Sequence, residues 1–132
     1  MFGLNSDPTT DASYASLDYA WYFESSAGNT LYIFESGSSV GIFGTYTTST
    51  VLSITYDGYN IRYWKDGVLQ RTVARAIGNA LYFDSSFYLN TSVGITNVAF
   101  GPMGEAGPLM DRVIGSGTIG YVAEWISTTG LS

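Results

Sequence analysis

Asp66-Gly67 separates two runs, Ile61-Arg62-Tyr63-Trp64-Lys65 and Val68-Leu69-Gln70-Arg71-Thr72-Val73, each rich in β-branched and aromatic residues. A two-residue Asp-Gly between such runs is the strongest short-range hairpin signal, because both turn positions take positive φ. This one dipeptide commits the middle of the chain to antiparallel sheet. The same grammar repeats on either side. Residues 17–23 place Leu17, Tyr19, Trp21 and Phe23 on one face by period two. Residues 31–35 carry aromatics on both faces, and residues 40–43 form a short third run. Between these runs, 25–29, 36–39 and 44–50 read as loops. Residues 51–56 put Leu52, Ile54 and Tyr56 on one face ahead of a second turn signal, Asp57-Gly58. Residues 81–83, with 87–89 as an optional continuation, and 95–100, stopped by Gly101-Pro102, complete about eight strands, the pattern of an antiparallel sandwich or barrel.

Composition agrees. The chain has 132 residues, one domain's worth, with only 12% charged residues but seven Phe, three Trp and eleven Tyr. Sixteen Gly against three Pro fit a sheet protein with many tight turns. No helix is predicted before residue 103, and residues 1–16 read as polar and turn-like. The natural division is a sandwich over 1–102 and a Gly-rich extension over 103–132. In that extension 121–127 reads as a strand or one helical turn, and the whole as a linker, a strand lent to a neighbour or a partly disordered tail.

The residue inventory excludes much chemistry. With no Cys there is no disulfide, thiolate nucleophile or cysteine zinc site. With no His, Ser-His-Asp and Cys-His catalysis are ruled out. Asp18, Glu24, Glu35, Asp57, Asp66 and Asp84 are scattered through turns and strand ends, without the paired acids that glycoside hydrolysis needs. The expectation is a protein that is not an enzyme. A formal net charge of −6 argues against nucleic acid, and no apolar run reaches membrane-helix length. The start lacks the charged and apolar regions of a signal peptide.

The hairpin supplies the candidate binding surface. Regular pairing sets Lys65 opposite Val68, Trp64 opposite Leu69, Tyr63 opposite Gln70 and Arg62 opposite Arg71. Two arginines face to face need solvent. That face is therefore expected to look outward with Trp64, and Ile61, Tyr63 and Val68 inward. Four of the five basic residues, Arg62, Lys65, Arg71 and Arg75, then form a local basic patch around an indole. An aromatic plane stacks on a sugar, and arginines grip carboxylate or phosphate with two bonds. Tyr46, Tyr59 and Tyr88 add loop tyrosines suited to binding surfaces.

Two stretches carry a family resemblance. "SITYDGYNIRYWKDGVLQRTV" (53–73) resembles the central meander of laminin-G-like, concanavalin A-like lectin domains, and "LYFDSSFYLNTSVGITNVAFGP" (81–102) resembles their next strand and closing strand. With "GLNSDP" and "YASLDYAWYF", residues 2–102 resemble modules of tail-tip and tail-fibre (host-specificity) proteins of tailed phages. Similar modules occur in bacterial surface proteins. A Met directly ahead of the matching region points to an excised or cleaved module.

The resemblance implies an all-β, two-sheet antiparallel jelly-roll sandwich with a C-terminal extension. It implies a non-catalytic, carbohydrate-binding receptor-recognition domain, acting outside the cell on the virion. The partner would be a bacterial surface glycan or outer-membrane receptor, met by Trp64, Arg62, Arg71, Tyr59, Tyr88 and Asp84. Some relatives hold calcium at the loop rim. Asp57 and Asp84 are the candidates here, without a complete ligand motif, so no cofactor is expected. Fibre proteins are usually trimeric, so a homotrimer is expected, with 117–127 pairing between chains. The alternatives are a structural or oligomerisation domain of a fibre without ligand, and a bacterial surface adhesin module.

Overall fold

The computed structural model describes residues 1–26, 28–88 and 94–102. Residues 103–132, and with them the expected extension, lie outside the described residues, as does Leu89. Eight strands run in chain order: β1 (Phe2–Asn5), β2 (Tyr19–Glu24), β3 (Thr30–Glu35), β4 (Ser38–Thr45), β5 (Leu52–Tyr56), β6 (Asn60–Lys65), β7 (Val68–Ala74) and β8 (Tyr82–Ser85). Among the described residues the one helical element is a 3-10 turn at Tyr14–Ser16.

The strands form two antiparallel sheets, as the strand and turn pattern predicts. The first, sheet A, has the order β4-β3-β2-β1-β8, and the second, sheet B, the order β5-β6-β7. Two tight turns follow from sequence. Asp66 and Gly67 take φ of 50° and 79°, and Ser36 and Gly37 take 49° and 76°, the paired left-handed conformation that matches strand twist in a two-residue hairpin.

The core lies between the sheets. Leu4, Trp21, Leu31 and Ile33 from sheet A meet Ile61 and Tyr63 from sheet B. Leu52, Ile54 and Tyr56 pack against this cluster from one face of β5, as period two predicts. Each fully buried large side chain contributes about 1.5–3 kcal/mol of transfer free energy. The Trp21 indole packs edge-on against Tyr63 at 5.7 Å between centroids, and its Nε1 donates to Ser53 O at 3.2 Å. One residue of β2 thus holds β5 and β6 across the core.

Four expectations are corrected. The N-terminal stretch is not all turn: β1 sits inside sheet A between β2 and β8. A Cβ on Gly3 would collide with the Tyr19 carbonyl oxygen, so β1 fits there only as a chain with a glycine at that point. Leu17 does not share the face of Tyr19, Trp21 and Phe23. It precedes β2 and packs with Met1 and Ala20 on the other side of the sheet. Residues 95–100 form no strand: strand-forming residues need a ladder partner, and among the described residues these have none. Val68 is exposed rather than inward, since it is the first residue after the turn at the sheet's outer edge.

Candidate functional site

The hairpin β6–β7 keeps Lys65 opposite Val68 and Trp64 opposite Leu69, then slips. Tyr63 pairs with Arg71 and Arg62 with Thr72. Gln70 is the extra residue of a β-bulge, and one extra residue moves everything after it to the opposite face. The expected Arg62–Arg71 opposition is therefore absent. Arg62 stays outward with Trp64, while Arg71 turns toward sheet A.

There Arg71 meets Glu35, the last residue of β3. Its Nε donates to Glu35 Oε1 and its Nη2 to Oε2, both at 2.9 Å. This fork-on-fork pair joins the two sheets at one end of the sandwich. Tyr63 lies beside it, fully buried; its hydroxyl is directed at the Glu35 carboxylate but, among the described residues, makes no hydrogen bond of good geometry. Burial first, and then the negative charge of Glu35, push the Tyr63 phenol far above the ordinary tyrosine range.

The other candidate residues are also held. Arg62 Nη1 donates to Asp57 Oδ2, and Asp57 Oδ1 accepts from the backbone N–H groups of Tyr59 and Asn60 at 2.9 and 2.8 Å. The Arg62 bond first, and those two N–H groups next, hold the Asp57 carboxyl at about 2. Arg75 lies over the Tyr56 ring and donates to Asn79 O at 2.8 Å. Two of the patch's four cations are therefore ion-paired, which halves the basic patch read from sequence; among the described residues Lys65 and Arg75 make no ion pair. Trp64 is half-buried, with Nε1 donating to Thr55 Oγ1 at 2.9 Å. Asp84 is structural in its contacts: it accepts from the buried Asn5 Nδ2 at 2.8 Å and from Ser85 N at 2.7 Å. Tyr59 and Tyr88 are 73% and 98% exposed. Tyr46 instead packs on the core against Phe23. Among the described residues no group of three acidic side chains is placed to hold a metal.

The structure adds a surface the hairpin argument missed. Tyr22, Tyr32 and Phe34 share the outer face of sheet A. Tyr22 stacks on Phe34 at 4.8 Å and meets Tyr32 edge-on at 5.8 Å. Tyr14, from the 3-10 turn, closes on Phe34 at 6.2 Å. Tyr22 pairs with Tyr32 across β2 and β3, and Tyr32 with Ile42 across β3 and β4, so Ile42 extends the same face. Tyr22, Tyr32 and Phe34 are half-buried, Tyr22 and Phe34 against the Met1–Leu17–Ala20 cluster, and Tyr14 and Ile42 are exposed, so this aromatic terrace shows solvent the remaining part of each ring. Burial first, then Glu24, raises the Tyr22 phenol, so it stays a neutral donor and acceptor. The sequence signal for this terrace is Tyr32 and Phe34 at alternate positions of 31–35; the expectation of aromatics on both faces is corrected, because the opposite, inward face carries Leu31 and Ile33.

The chain matches no protein-family model, no curated protein and no solved structure.

Proposed function

We propose that this chain is a non-catalytic recognition domain that binds a bacterial surface glycan, in the setting of a phage tail fibre or tail tip attaching to its host. The jelly-roll, concanavalin A-like weave belongs to the same proposal. The observation that carries it is the terrace of Tyr22, Tyr32 and Phe34. Flat aromatic rings offer a sugar's C–H face an apolar platform, and phenol hydroxyls at the rim hydrogen-bond its hydroxyls. Strands hold these rings, so the platform is ordered before a ligand arrives and little ordering entropy is lost on binding. The arginines are largely engaged within the protein, so the rings rather than the cations make the contact.

The test is a binding screen of the purified full chain on whole bacteria and on a glycan array with lipopolysaccharides, at two salt concentrations. The account expects selective binding that added salt does not weaken. Tyr32→Ala, checked for folding by circular dichroism, is expected to lose about tenfold in affinity, the scale of one central aromatic contact. Folded protein that binds nothing, or a Tyr32→Ala chain that binds as well as the parent, would refute the reading.

A second reading rests on the exposed aliphatics Ile42, Val68 and Leu69. It makes the chain a structural fibre domain whose apolar surface meets a neighbouring subunit. Light scattering that gives a monomer at all working concentrations would remove it.

A further inference from the structure

Sheet B is two strands narrower than sheet A, and one of its edges is β5. In an antiparallel ladder alternate residues aim their N–H and C=O at the partner strand. Asp66 N donates to Val51 O at 2.7 Å and Asp57 N to Asn60 O at 3.3 Å, which fixes the odd-numbered residues as those facing β6. Leu52, Ile54 and Tyr56 therefore direct their backbone groups away from β6. Among the described residues none of those groups has a hydrogen-bond partner.

Beside this open edge runs a groove of about 930 Å³. Its floor is core: Leu4, Ile54, Tyr56 and Leu81 all line it, and all belong to or pack against the main cluster. Ile77 and Phe100 form its walls and are well exposed. An edge that is unpaired and flanked by apolar surface is a template for another strand.

Pro102 lines the same groove, so the described chain ends there, with residues 103–132 still to run. Within them lies Tyr121-Val122-Ala123-Glu124-Trp125-Ile126-Ser127, free of Gly and Pro and bounded by Gly120 and by Thr128-Thr129-Gly130. Tyr, Val, Trp and Ile are strong strand formers. The alternate set Tyr121, Ala123 and Trp125 carries no charge, which suits the groove floor and leaves Glu124 on the solvent side.

We propose that β5 is an acceptor edge and that residues 121–127 of the same chain add to it as a fourth strand of sheet B. Reach is ample: residues 103–120 span up to about 60 Å when extended, beyond the width of a domain this size. Because the tether starts at the groove, the effective concentration of the strand is on the order of millimolar. A neighbour's strand would have to match that figure. The proposal concerns how the domain completes itself and stands whether or not the terrace binds a glycan.

Hydrogen exchange of the full chain at low micromolar concentration tests it, read at the amides of Leu52, Ile54 and Tyr56. They are expected to be protected at least about tenfold over an open edge, in a protein that light scattering finds monomeric. The double variant Val122→Pro, Ala123→Pro removes one N–H from each side of the strand, so it disrupts pairing whatever the register. It should return those three amides to open-edge rates while Ile61 and Tyr63 stay protected. Fast exchange at the three amides in the parent chain overturns the proposal. So does protection that survives the double variant, or protection that appears only as copies associate, which would assign the strand to a neighbour.

Discussion

Arg71→Leu, Glu35→Leu and the double variant, with Arg62→Leu as the control, test the bulged register most sharply. Arg71 makes two charge-assisted hydrogen bonds of 2.9 Å to Glu35, across the gap between sheets. Such bonds are worth about 1.5–3 kcal/mol each when well shielded. Here the side chains of Arg71 and Glu35 are 30% and 18% exposed, so solvent reduces each bond to about 1 kcal/mol. Removing Arg71 also leaves Glu35 beside the buried Tyr63 ring with no cation, which adds a desolvation cost. The expected loss for Arg71→Leu is about 2–3 kcal/mol, or a fall in Tm of roughly 10 °C or more for a domain of this size. Arg62 makes one ion pair, within its own hairpin, so Arg62→Leu is expected to cost under about 1 kcal/mol. The Arg71–Glu35 coupling from the cycle should be about 1–2 kcal/mol. Urea unfolding followed by circular dichroism gives all five stabilities. An Arg71→Leu chain no less stable than Arg62→Leu, or a coupling below about 0.3 kcal/mol, would refute the register and the inter-sheet clamp.

Three further outcomes follow from the same packing. Tyr63→Phe removes a buried hydroxyl that makes no hydrogen bond of good geometry among the described residues, and should raise stability by about 0.5–1 kcal/mol near neutral pH. The folded-state phenol is raised above its unfolded value, so its contribution is intact below pH about 10 and is lost as pH rises beyond it. Alkaline unfolding should therefore shift upward in Tyr63→Phe, and a variant less stable than the parent would show a missed partner. Gly3→Ala should cost more than about 3 kcal/mol or prevent folding, because the added methyl meets the backbone of β2, and a thermal melt within a few degrees of the parent would contradict the placement of β1. Asp57, held at about 2 by Arg62 and two backbone N–H groups, supplies stability that is present above pH about 4 and is lost as pH falls toward 2. Solvent screening makes this a small slope, and Asp57→Asn should flatten it in an acid titration followed by fluorescence; an unchanged slope would refute the assignment.

Much of the sandwich could be read from local signals. The Asp66-Gly67 turn announced itself because left-handed φ at two adjacent positions is a demand few dipeptides meet. The inward set Leu52, Ile54, Tyr56 followed from period two alone. What escaped were features decided by neighbours. β1 is four residues with a glycine, too short to show alternation, and it is a strand because two other strands flank it. Residues 95–100 have the composition of a strand but, among the described residues, no ladder to join. Gln70 looks like any strand residue, yet by standing unpaired it sends Arg71 to Glu35 and takes that cation out of the basic patch. Periodicity reports which residues suit a face, and a one-residue slip exchanges the faces without changing the composition. The aromatic terrace was half visible: Tyr32 and Phe34 were legible as one face of their strand, but their meeting with Tyr22 and Tyr14 needed the pairing of β2 and β3 and the covering 3-10 turn.

The central claim is that the terrace on sheet A is the recognition surface. Its most direct test is an NMR titration of the full chain with a glycan selected by the array, read at the aromatic ring protons. The account predicts that the rings of Tyr22, Tyr32 and Phe34 shift and broaden together, while those of Trp64 and Tyr59 stay in place. Shifts confined to Trp64 and Tyr59 would place the site on the hairpin and contradict the claim.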